Sequence, residues 1–317
     1  MPNKLRYLVY LLRIRRIEFR IAEIPILIIP IVLLVHDTTP LRTFTFWEGI
    51  FVFFLLFAFG DMINCLADRD LDAVYKPHLS EAVYGLGVPF VKFQVAATAL
   101  LALALTAHLA QQLHRWELLP LVAIGLALGA GYSVKPVQFK GRGLAQLVCL
   151  WLIIFVGPML FVGLLVSSAP STEMLLFAAA FGALQMGIIL VNTAEDYPED
   201  LEANIKTTIV ALGLHRGINL AFWLTAAGSI GVIGALVFMF ARRQTPVVWL
   251  LALLPAIVIC IFVLTDIGRL KSSIAKQSLT DAIATVKRAA RKVPLWLTAV
   301  AWTTVIACFA FFIAGKQ

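Results

Sequence analysis

The amino-acid sequence predicts an all-α, polytopic membrane protein in which nine transmembrane helices form a single bundle. The 317 residues are 61% hydrophobic and only 14% charged, whereas soluble domains average about 45–50% apolar and about 25% charged residues. The apolar residues also fall in runs separated by short polar loops, and a membrane-spanning helix needs roughly 20 such residues. No long polar segment remains, so residues 1–317 are expected to form one transmembrane domain.

The nine apolar runs follow one another along the whole chain. They cover residues 21–36, 45–66, 87–109, 117–133, 143–167, 173–194, 217–240, 246–268 and 294–314. Pro25 and Pro30 make the ends of the first run hard to place, because proline interrupts helical hydrogen bonding. Residues 266–293 are predicted to form an amphipathic segment that connects the last two runs. The four cysteines are scattered, so we expect neither a disulfide framework nor a zinc site.

The basic residues predict how the bundle is oriented. With nine spans, 21 of the 26 Lys and Arg residues lie on the side of the N-terminus and five on the other side. Loops rich in Lys and Arg stay in the cytoplasm, so the N-terminus is predicted to be cytoplasmic. The basic stretch 4–20 either lies along the anionic inner leaflet or is only a topology signal. Because topology accounts for the net charge of +8 and no nucleic-acid motif is present, no nucleic acid is expected as a partner.

The acidic residues are concentrated in two short windows. Half of the 18 Asp and Glu residues are Asp61, Asp68, Asp70, Asp72, Glu195, Asp196, Glu199, Asp200 and Glu202. Both windows lie at the predicted cytoplasmic ends of helices, the second and the sixth. Carboxylates in or near a bilayer are costly unless a partner or a cation neutralises them. The two windows are therefore the candidate functional site.

The two windows share the spacing Asn-x-x-x-Asp-x-x-x-Asp. One contains Asn64, Asp68 and Asp72, and the other contains Asn192, Asp196 and Asp200. Residues four apart share a helix face, although Pro198 is expected to kink or restart the second helix. Four predicted spans separate residues 64–72 from 192–200, which is what duplication of a four-helix unit would leave.

Carboxylate and amide oxygens on one helix face suit Mg²⁺, which typically takes one or two carboxylates together with substrate phosphates. Two such clusters facing each other would suit a diphosphate held between metal ions. Two polar helix caps and a cation pathway are the alternatives that the spacing leaves open.

At these residues the sequence resembles the UbiA superfamily of intramembrane prenyltransferases. Asn64, Asp68 and Asp72 match the first acidic motif of that family, and Asp196 and Asp200 match the second. The run 67–72 is similar to that of para-hydroxybenzoate prenyltransferases. The loop 132–143, with Tyr132, Lys135, Lys140 and Arg142, is similar to the loop of members that prenylate large or lipid acceptors, and Lys206 and Gly213 match a further family element.

The resemblance implies a central cavity open to the cytoplasm and Mg²⁺-dependent transfer of a prenyl group from a prenyl diphosphate to an aromatic or lipid acceptor. It implies metal ligands among Asn64, Asp68, Asp72, Asn192, Asp196 and Asp200. It also implies diphosphate-binding cations among Lys135, Lys140, Arg142, Lys206 and, less favourably placed, Arg69. Tyr132 would lie near the reacting carbon or the diphosphate; otherwise it is an interfacial aromatic residue.

Two positions depart from the family pattern. Cys65 stands where the first motif usually has a second carboxylate, and the stretch after Lys76 lacks the usual arginine. A cation transporter or channel that uses the acidic residues is the second hypothesis, and these two departures motivate the third, a family member that has lost catalysis and binds lipid or a partner. The acceptor stays open between an aromatic acid or quinone precursor, a glycerol-phosphate lipid and a sugar phosphate.

Overall fold

A computed structural model describes residues 3–35, 38–169 and 171–314, which form fifteen α-helices joined by short loops. The helices are α1 (Asn3–Arg13), α2 (Arg20–Leu34), α3 (Phe44–Tyr75), α4 (Pro77–Leu86), α5 (Val88–Leu113), α6 (Leu118–Ser133), α7 (Leu144–Leu150), α8 (Gly157–Val166), α9 (Thr172–Glu195), α10 (Tyr197–Glu202), α11 (Thr208–Leu212), α12 (Leu214–Arg242), α13 (Leu254–Ile274), α14 (Leu279–Ala290) and α15 (Val293–Ala314). A π-helical segment, Trp151–Val156, joins α7 to α8. The prediction of an all-α fold is confirmed.

Seven of the helical segments are long and apolar enough to cross a membrane. They are Phe44–Tyr75, Val88–Leu113, Leu144–Val166, Thr172–Glu195, Leu214–Arg242, Val247–Ile274 and Val293–Ala314. The first and fourth predicted spans also form helices, α2 and α6, but these have only 15 and 16 residues. At 1.5 Å per residue, α6 is about 24 Å long and shorter than the roughly 30 Å hydrocarbon core. The predicted end of the first span, residue 36, lies outside the described residues.

Helix α9 forms the centre of the bundle, because 67% of its most apolar 18-residue stretch is buried. It packs most extensively against α12, and glycine permits the close approach. A Cβ atom on Gly228 would lie 2.3 Å from the backbone nitrogen of Leu184, and one on Gly187 would lie 2.7 Å from the carbonyl oxygen of Ala221. Helix α5, in contrast, has only 11% of the corresponding apolar stretch buried, so it lies at the periphery. The last turn of α9 lies at one end of the bundle, where Ala194 is buried and Asn192 is exposed.

The short helices α1, α4, α10, α11 and α14 all lie at the end of the bundle where α3 and α9 finish. We call this the acidic end, because Asp68, Asp72, Asp196 and Asp200 lie there. Helix α1 is fixed to α4 by a polar contact, in which Arg6 and Tyr10 both donate hydrogen bonds of 2.7 Å to Glu81 Oε1. Helix α1 is therefore held against α4 at the acidic end.

Candidate functional site

The first acidic window occupies the last turns of α3. Because α3 is continuous from Phe44 to Tyr75, Asn64, Asp68 and Asp72 share one face, as the spacing predicts. Asp68 and Asp72 are buried. Asn64 is half-buried, and its Oδ1 accepts a hydrogen bond of 3.0 Å from Ser133 Oγ at the end of α6. The face with these oxygens therefore points into the protein.

The second acidic window lies across a break between two helices. Helix α9 ends at Glu195, and Pro198 lies in the first turn of α10, where its missing N–H is not needed. The prediction that Pro198 restarts the helix is confirmed. The backbone N–H of Asp200 still donates to the carbonyl oxygen of Asp196 at 2.8 Å. Asp200 is buried, Asp196 is half-buried and Asn192 is exposed.

Burial also changes the acidity of the second window. It raises the pKa of Asp200 to about 6, against the opposing effects of a hydrogen bond from Thr207 and the positive charges of Lys140 and Lys76. Because its neighbours neutralise the Asp200 carboxylate only in part, a bound cation would stabilise the charged form of this side chain.

Contacts from the end of α3 bring the two windows together. Lys76 Nζ lies 3.5 Å from Asp196 Oδ2. The hydroxyl of Tyr75 donates a 3.1 Å hydrogen bond to Glu202 Oε2 in α10. Residues that are about 120 positions apart in the sequence therefore meet at the acidic end.

Lys140 lies between the two windows. Its Nζ is 2.6 Å from Asp68 Oδ2, and the two side chains are only 18% and 10% exposed. Burial lowers the pKa of Lys140, but the charge and the hydrogen bond of Asp68 outweigh burial and raise it overall, with a further contribution from Asp200. A protonated ammonium group therefore pairs with Asp68 of the first window, and its charge also acts on Asp200 of the second.

Hydrogen bonds to α7 and to residues 206–208 hold the loop that carries Lys140. Gln146 on α7 donates a 3.4 Å hydrogen bond to the hydroxyl of Tyr132, and its Oε1 accepts one of 2.7 Å from the backbone N–H of Thr208. The N–H of Gly143 donates to the carbonyl oxygen of Lys206 at 2.7 Å. Gly143 has φ = 58°, which a glycine adopts without strain. This network fixes Tyr132 and Lys140 relative to the acidic windows.

The other predicted cations are not buried with Lys140. Lys135, Arg142 and Lys206 are exposed, and Arg142 Nη2 donates to the carbonyl oxygen of Pro136 at 2.9 Å. Arg69 is directed to its own helix, where it donates to the carbonyl oxygen of Leu66 at 2.7 Å and lies 3.3 Å from Asp70. The turn that carries Lys140 thus brings it to Asp68, whereas Arg69 lies beside Asp70 on α3.

Sequence reasoning did not single out three residues that the structure places here. Lys76 contacts Asp196, and Gln146 holds Tyr132 and Thr208. Arg16 lies in the turn before α2, where its buried Nε is 3.5 Å from Glu18 Oε1 but makes no hydrogen bond to the described residues. Its charge acts on Asp61 and Asp72. For Arg16, the only signal in the sequence was the basic character of the stretch before the first span.

The donor set fits a cation that is shared with a phosphate ligand. Within the three described ranges, no group of three or more His, Cys, Asp or Glu side chains could hold a metal ion by itself. Each window instead offers two carboxylates and one amide. Mg²⁺ usually binds through one or two carboxylates and completes its shell with phosphate oxygens and water. Lys140 and Lys76, already paired with Asp68 and Asp196, add positive charge for an anionic ligand.

The fold and the site define an integral membrane protein with buried carboxylates and two paired lysines at one end of its bundle. Residues 24–279 match the model of the UbiA prenyltransferase family. The chain therefore belongs to the UbiA prenyltransferase family, and the predicted resemblance is confirmed. Among curated proteins, none matches the chain.

Solved structures share the whole fold. A UbiA homologue from Archaeoglobus fulgidus bound to DMAPP and Mg²⁺ is 19% identical, with a TM-score of 0.62 over 92% of this chain and 99% of its own. The same homologue bound to GPP and Mg²⁺ is 18% identical, with a TM-score of 0.62 over the same shares. A structure described for digeranylgeranylglyceryl phosphate synthase is 14% identical, with a TM-score of 0.64 over 96% of this chain and 99% of its own.

Proposed function

We propose that the protein is a Mg²⁺-dependent prenyltransferase that moves a prenyl group from a prenyl diphosphate to an aromatic or lipid acceptor. The observation that carries the proposal is the meeting of the two acidic windows around Lys140, which pairs with Asp68 and acts on Asp200. The family supports the reaction class. The homologue bound to DMAPP and Mg²⁺ supports the type of donor and the ion.

The metal ligands that we propose are the oxygen-bearing residues of the two windows. They are Asn64, Asp68, Asp72, Asn192, Asp196 and Asp200. When bound, Mg²⁺ neutralises the diphosphate as it leaves the allylic carbon. Asp68, Asp72 and Asp200 are buried, so they would hold their ligand where interactions between charges are stronger than in water.

The chain's own cations bind the leaving group in this proposal. Lys140 and Lys76 each contact an acidic residue and need only reorient to donate to phosphate oxygens. Arg16 lies 3.5 Å from Glu18 and its charge also acts on Asp72, so in this proposal it supplies the positive charge of the arginine that is missing after the first motif. The exposed residues Lys135, Arg142 and Lys206 attract the diphosphate at the rim.

Tyr132 and the bundle interior protect the reacting carbon. The hydroxyl of Tyr132 is held by Gln146, which would direct it to the diphosphate or to the carbon from which the diphosphate departs. We place the prenyl chain in a central cavity between the apolar helices, where exclusion of water prevents hydrolysis of the allylic cation. The acceptor enters from the membrane or from the acidic end.

In this proposal α2 and α6 complete nine spans, and the acidic end faces the cytoplasm. The distribution of Lys and Arg, 21 against five, supports this orientation. Cysteine-accessibility labelling in intact vesicles tests it. A cysteine placed at residue 135 should react only when the cytoplasmic side is exposed, and reaction from the opposite side would refute the orientation.

A cation transporter would need polar groups along the bundle, and α3 does not supply them. Between Glu48 and Asp61, this helix contains only glycine and apolar residues for about 18 Å. Glu48 itself is paired with His108 Nδ1 at 2.9 Å. These observations favour the enzyme over a transporter.

Turnover of prenyl diphosphates by the purified protein tests the proposal. DMAPP, GPP and longer donors are each combined with an aromatic acid, a glycerol-phosphate lipid and a sugar phosphate, with Mg²⁺ or with a chelator. We expect Mg²⁺-dependent product with at least one pair, and its loss in Asp68→Asn. Asp70→Asn is the matched control, because Asp70 is exposed and accepts a hydrogen bond from Tyr84 outside the site. Folded protein that neither binds nor turns over any donor would refute the proposal and favour the non-catalytic hypothesis.

A further inference from the structure

A second charged feature lies at the acidic end, on the outer surface of the bundle. Helices α12 and α13 border an open groove of about 810 Å³, which we call the basic groove. Its residues include Phe222 on α12 and Gly268, Arg269, Lys271, Ser272 and Lys276 on or after α13. None of them belongs to the acidic windows.

The basic groove carries an excess of positive charge. Arg269 lies 3.8 Å from Asp266, but that carboxylate also binds Lys292 at 2.9 Å. Among the described residues, Lys271 and Lys276 have no acidic partner within ion-pair distance. Two lysines and one partly neutralised arginine thus surround a space that is open to the exterior, and their charge is complementary to an anion.

Aromatic rings fix one of these lysines at the level of the membrane interface. Lys271 Nζ lies 4.8 Å from the ring centroid of Phe222 and 5.6 Å from that of Trp223, within the range of cation–π attraction. Gly268 permits this arrangement, because a Cβ atom there would lie 3.3 Å from the Phe222 ring. Trp223 is 58% exposed, and exposed tryptophans are typical of the interface between headgroups and acyl chains.

An apolar surface continues from the groove toward the middle of the membrane. On α13, Val258 and Ile261 are each 59% exposed. Their spacing along the helix places them on the same face as the groove residue Ser272. On α12, Ile230 is 75% exposed and shares a face with Trp223. From Lys271 to Val258 this surface extends about 20 Å, more than half of a hydrocarbon core of roughly 30 Å. A ligand with a charged head and a long apolar tail matches both parts.

We propose that the basic groove is a binding site for an anionic membrane phospholipid. Its phosphate lies between Lys271 and Lys276, and its acyl chains follow the exposed apolar residues of α12 and α13. Gln277, which also lines the groove, has a buried Oε1 without a hydrogen-bond partner among the described residues. Reorientation of this amide would let it accept a hydrogen bond from a hydroxyl-bearing headgroup, as in phosphatidylglycerol.

Native mass spectrometry of the full-length protein in detergent tests the proposal. The protein is mixed with equal amounts of phosphatidylglycerol and phosphatidylcholine that carry identical acyl chains. We expect the wild type to retain phosphatidylglycerol preferentially. Lys271→Gln and Lys276→Gln should each weaken that retention roughly fivefold, as expected for one basic residue near an anionic lipid. Lys92→Gln, which removes an exposed charge at the same end of the bundle, should leave retention unchanged.

Two controls keep the result decisive. Lys276 is exposed, so Lys276→Gln tests the groove even if Lys271→Gln perturbs the packing of Phe222. Glycerol 3-phosphate in tenfold excess should leave the bound lipid in place; displacement would assign the groove to a soluble phosphate ester and overturn the lipid assignment. Equal retention of the two lipids by the wild type, or wild-type preference in both lysine variants, would also overturn it.

Discussion

Replacing Lys140 with methionine tests how the acidic end is held together before substrate binds. Lys140 and Asp68 form a 2.6 Å ion pair in which both side chains are at least four-fifths buried. Removing one partner of a buried pair costs about 3–5 kcal/mol, because the remaining charge loses its compensation. We use the lower end, about 3 kcal/mol, because this pair keeps some contact with solvent. At about 2 °C per kcal/mol, the midpoint of thermal unfolding should fall by about 6 °C.

The same substitution should slow the reaction. A hydrogen bond to a charged group contributes about 1.5–3 kcal/mol, so kcat/KM for the prenyl diphosphate should fall by roughly 10- to 150-fold. Mg²⁺ with pyrophosphate should recover part of the lost thermal stability, because a cation then neutralises Asp68. Thermal unfolding in detergent, with and without these ligands, and a turnover assay measure both effects.

Lys92→Met is the matched control, because it removes an exposed lysine at the same end of the bundle. It should unfold and turn over like the wild type. If Lys140→Met does so as well, Lys140 neither stabilises the acidic end nor binds the leaving group, and the reasoning is refuted.

Substitutions at three further residues separate catalytic from structural roles at the site. Asp196→Asn should lower turnover by roughly 100-fold, about 2.7 kcal/mol in the barrier, with the unfolding temperature nearly unchanged; turnover near the wild-type rate would remove Asp196 from the metal ligands. Gln146→Leu leaves the buried N–H of Thr208 without its acceptor, so it should cost about 1–3 kcal/mol of stability, whereas Gln146→Glu keeps an acceptor oxygen and should unfold at a higher temperature than Gln146→Leu. Tyr132→Phe should lower kcat with little effect on stability, because the hydrogen bond from Gln146 is long at 3.4 Å; an unchanged kcat would assign Tyr132 to interfacial packing.

Hydropathy predicted where the helices lie, but it did not determine how far each one extends. The predicted span 117–133 matches α6, which ends at Ser133. The span predicted at 45–66, in contrast, continues as α3 to Tyr75 and includes the first acidic window. Local composition marks the apolar residues, whereas the length of a helix also depends on the contacts made by the loop at its end.

Spacing predicted the acidic windows, and the family resemblance predicted Lys140 as a cation of the site, but neither predicted the contact made by Lys76. A period of four residues places Asp68 and Asp72 on one face of α3, and this depends only on local geometry. The contact of Lys76 with Asp196 crosses 120 positions, and no local pattern predicts such a pairing. The role of Gln146 could not be predicted either, because a single polar residue in an apolar run does not indicate which backbone N–H will donate a hydrogen bond to it.

The most direct test of whether the two windows bind the same ligand is calorimetry. It measures the binding of a non-hydrolysable prenyl diphosphate analogue with Mg²⁺ present. The comparison covers the wild type, Asp68→Asn, Asp196→Asn and the double variant. Residues that act on one ligand give non-additive effects, whereas independent sites add. We predict that each single variant loses most of the Mg²⁺-dependent affinity and that the double variant loses little more. Additive losses, or wild-type affinity in either single variant, would contradict a shared diphosphate site.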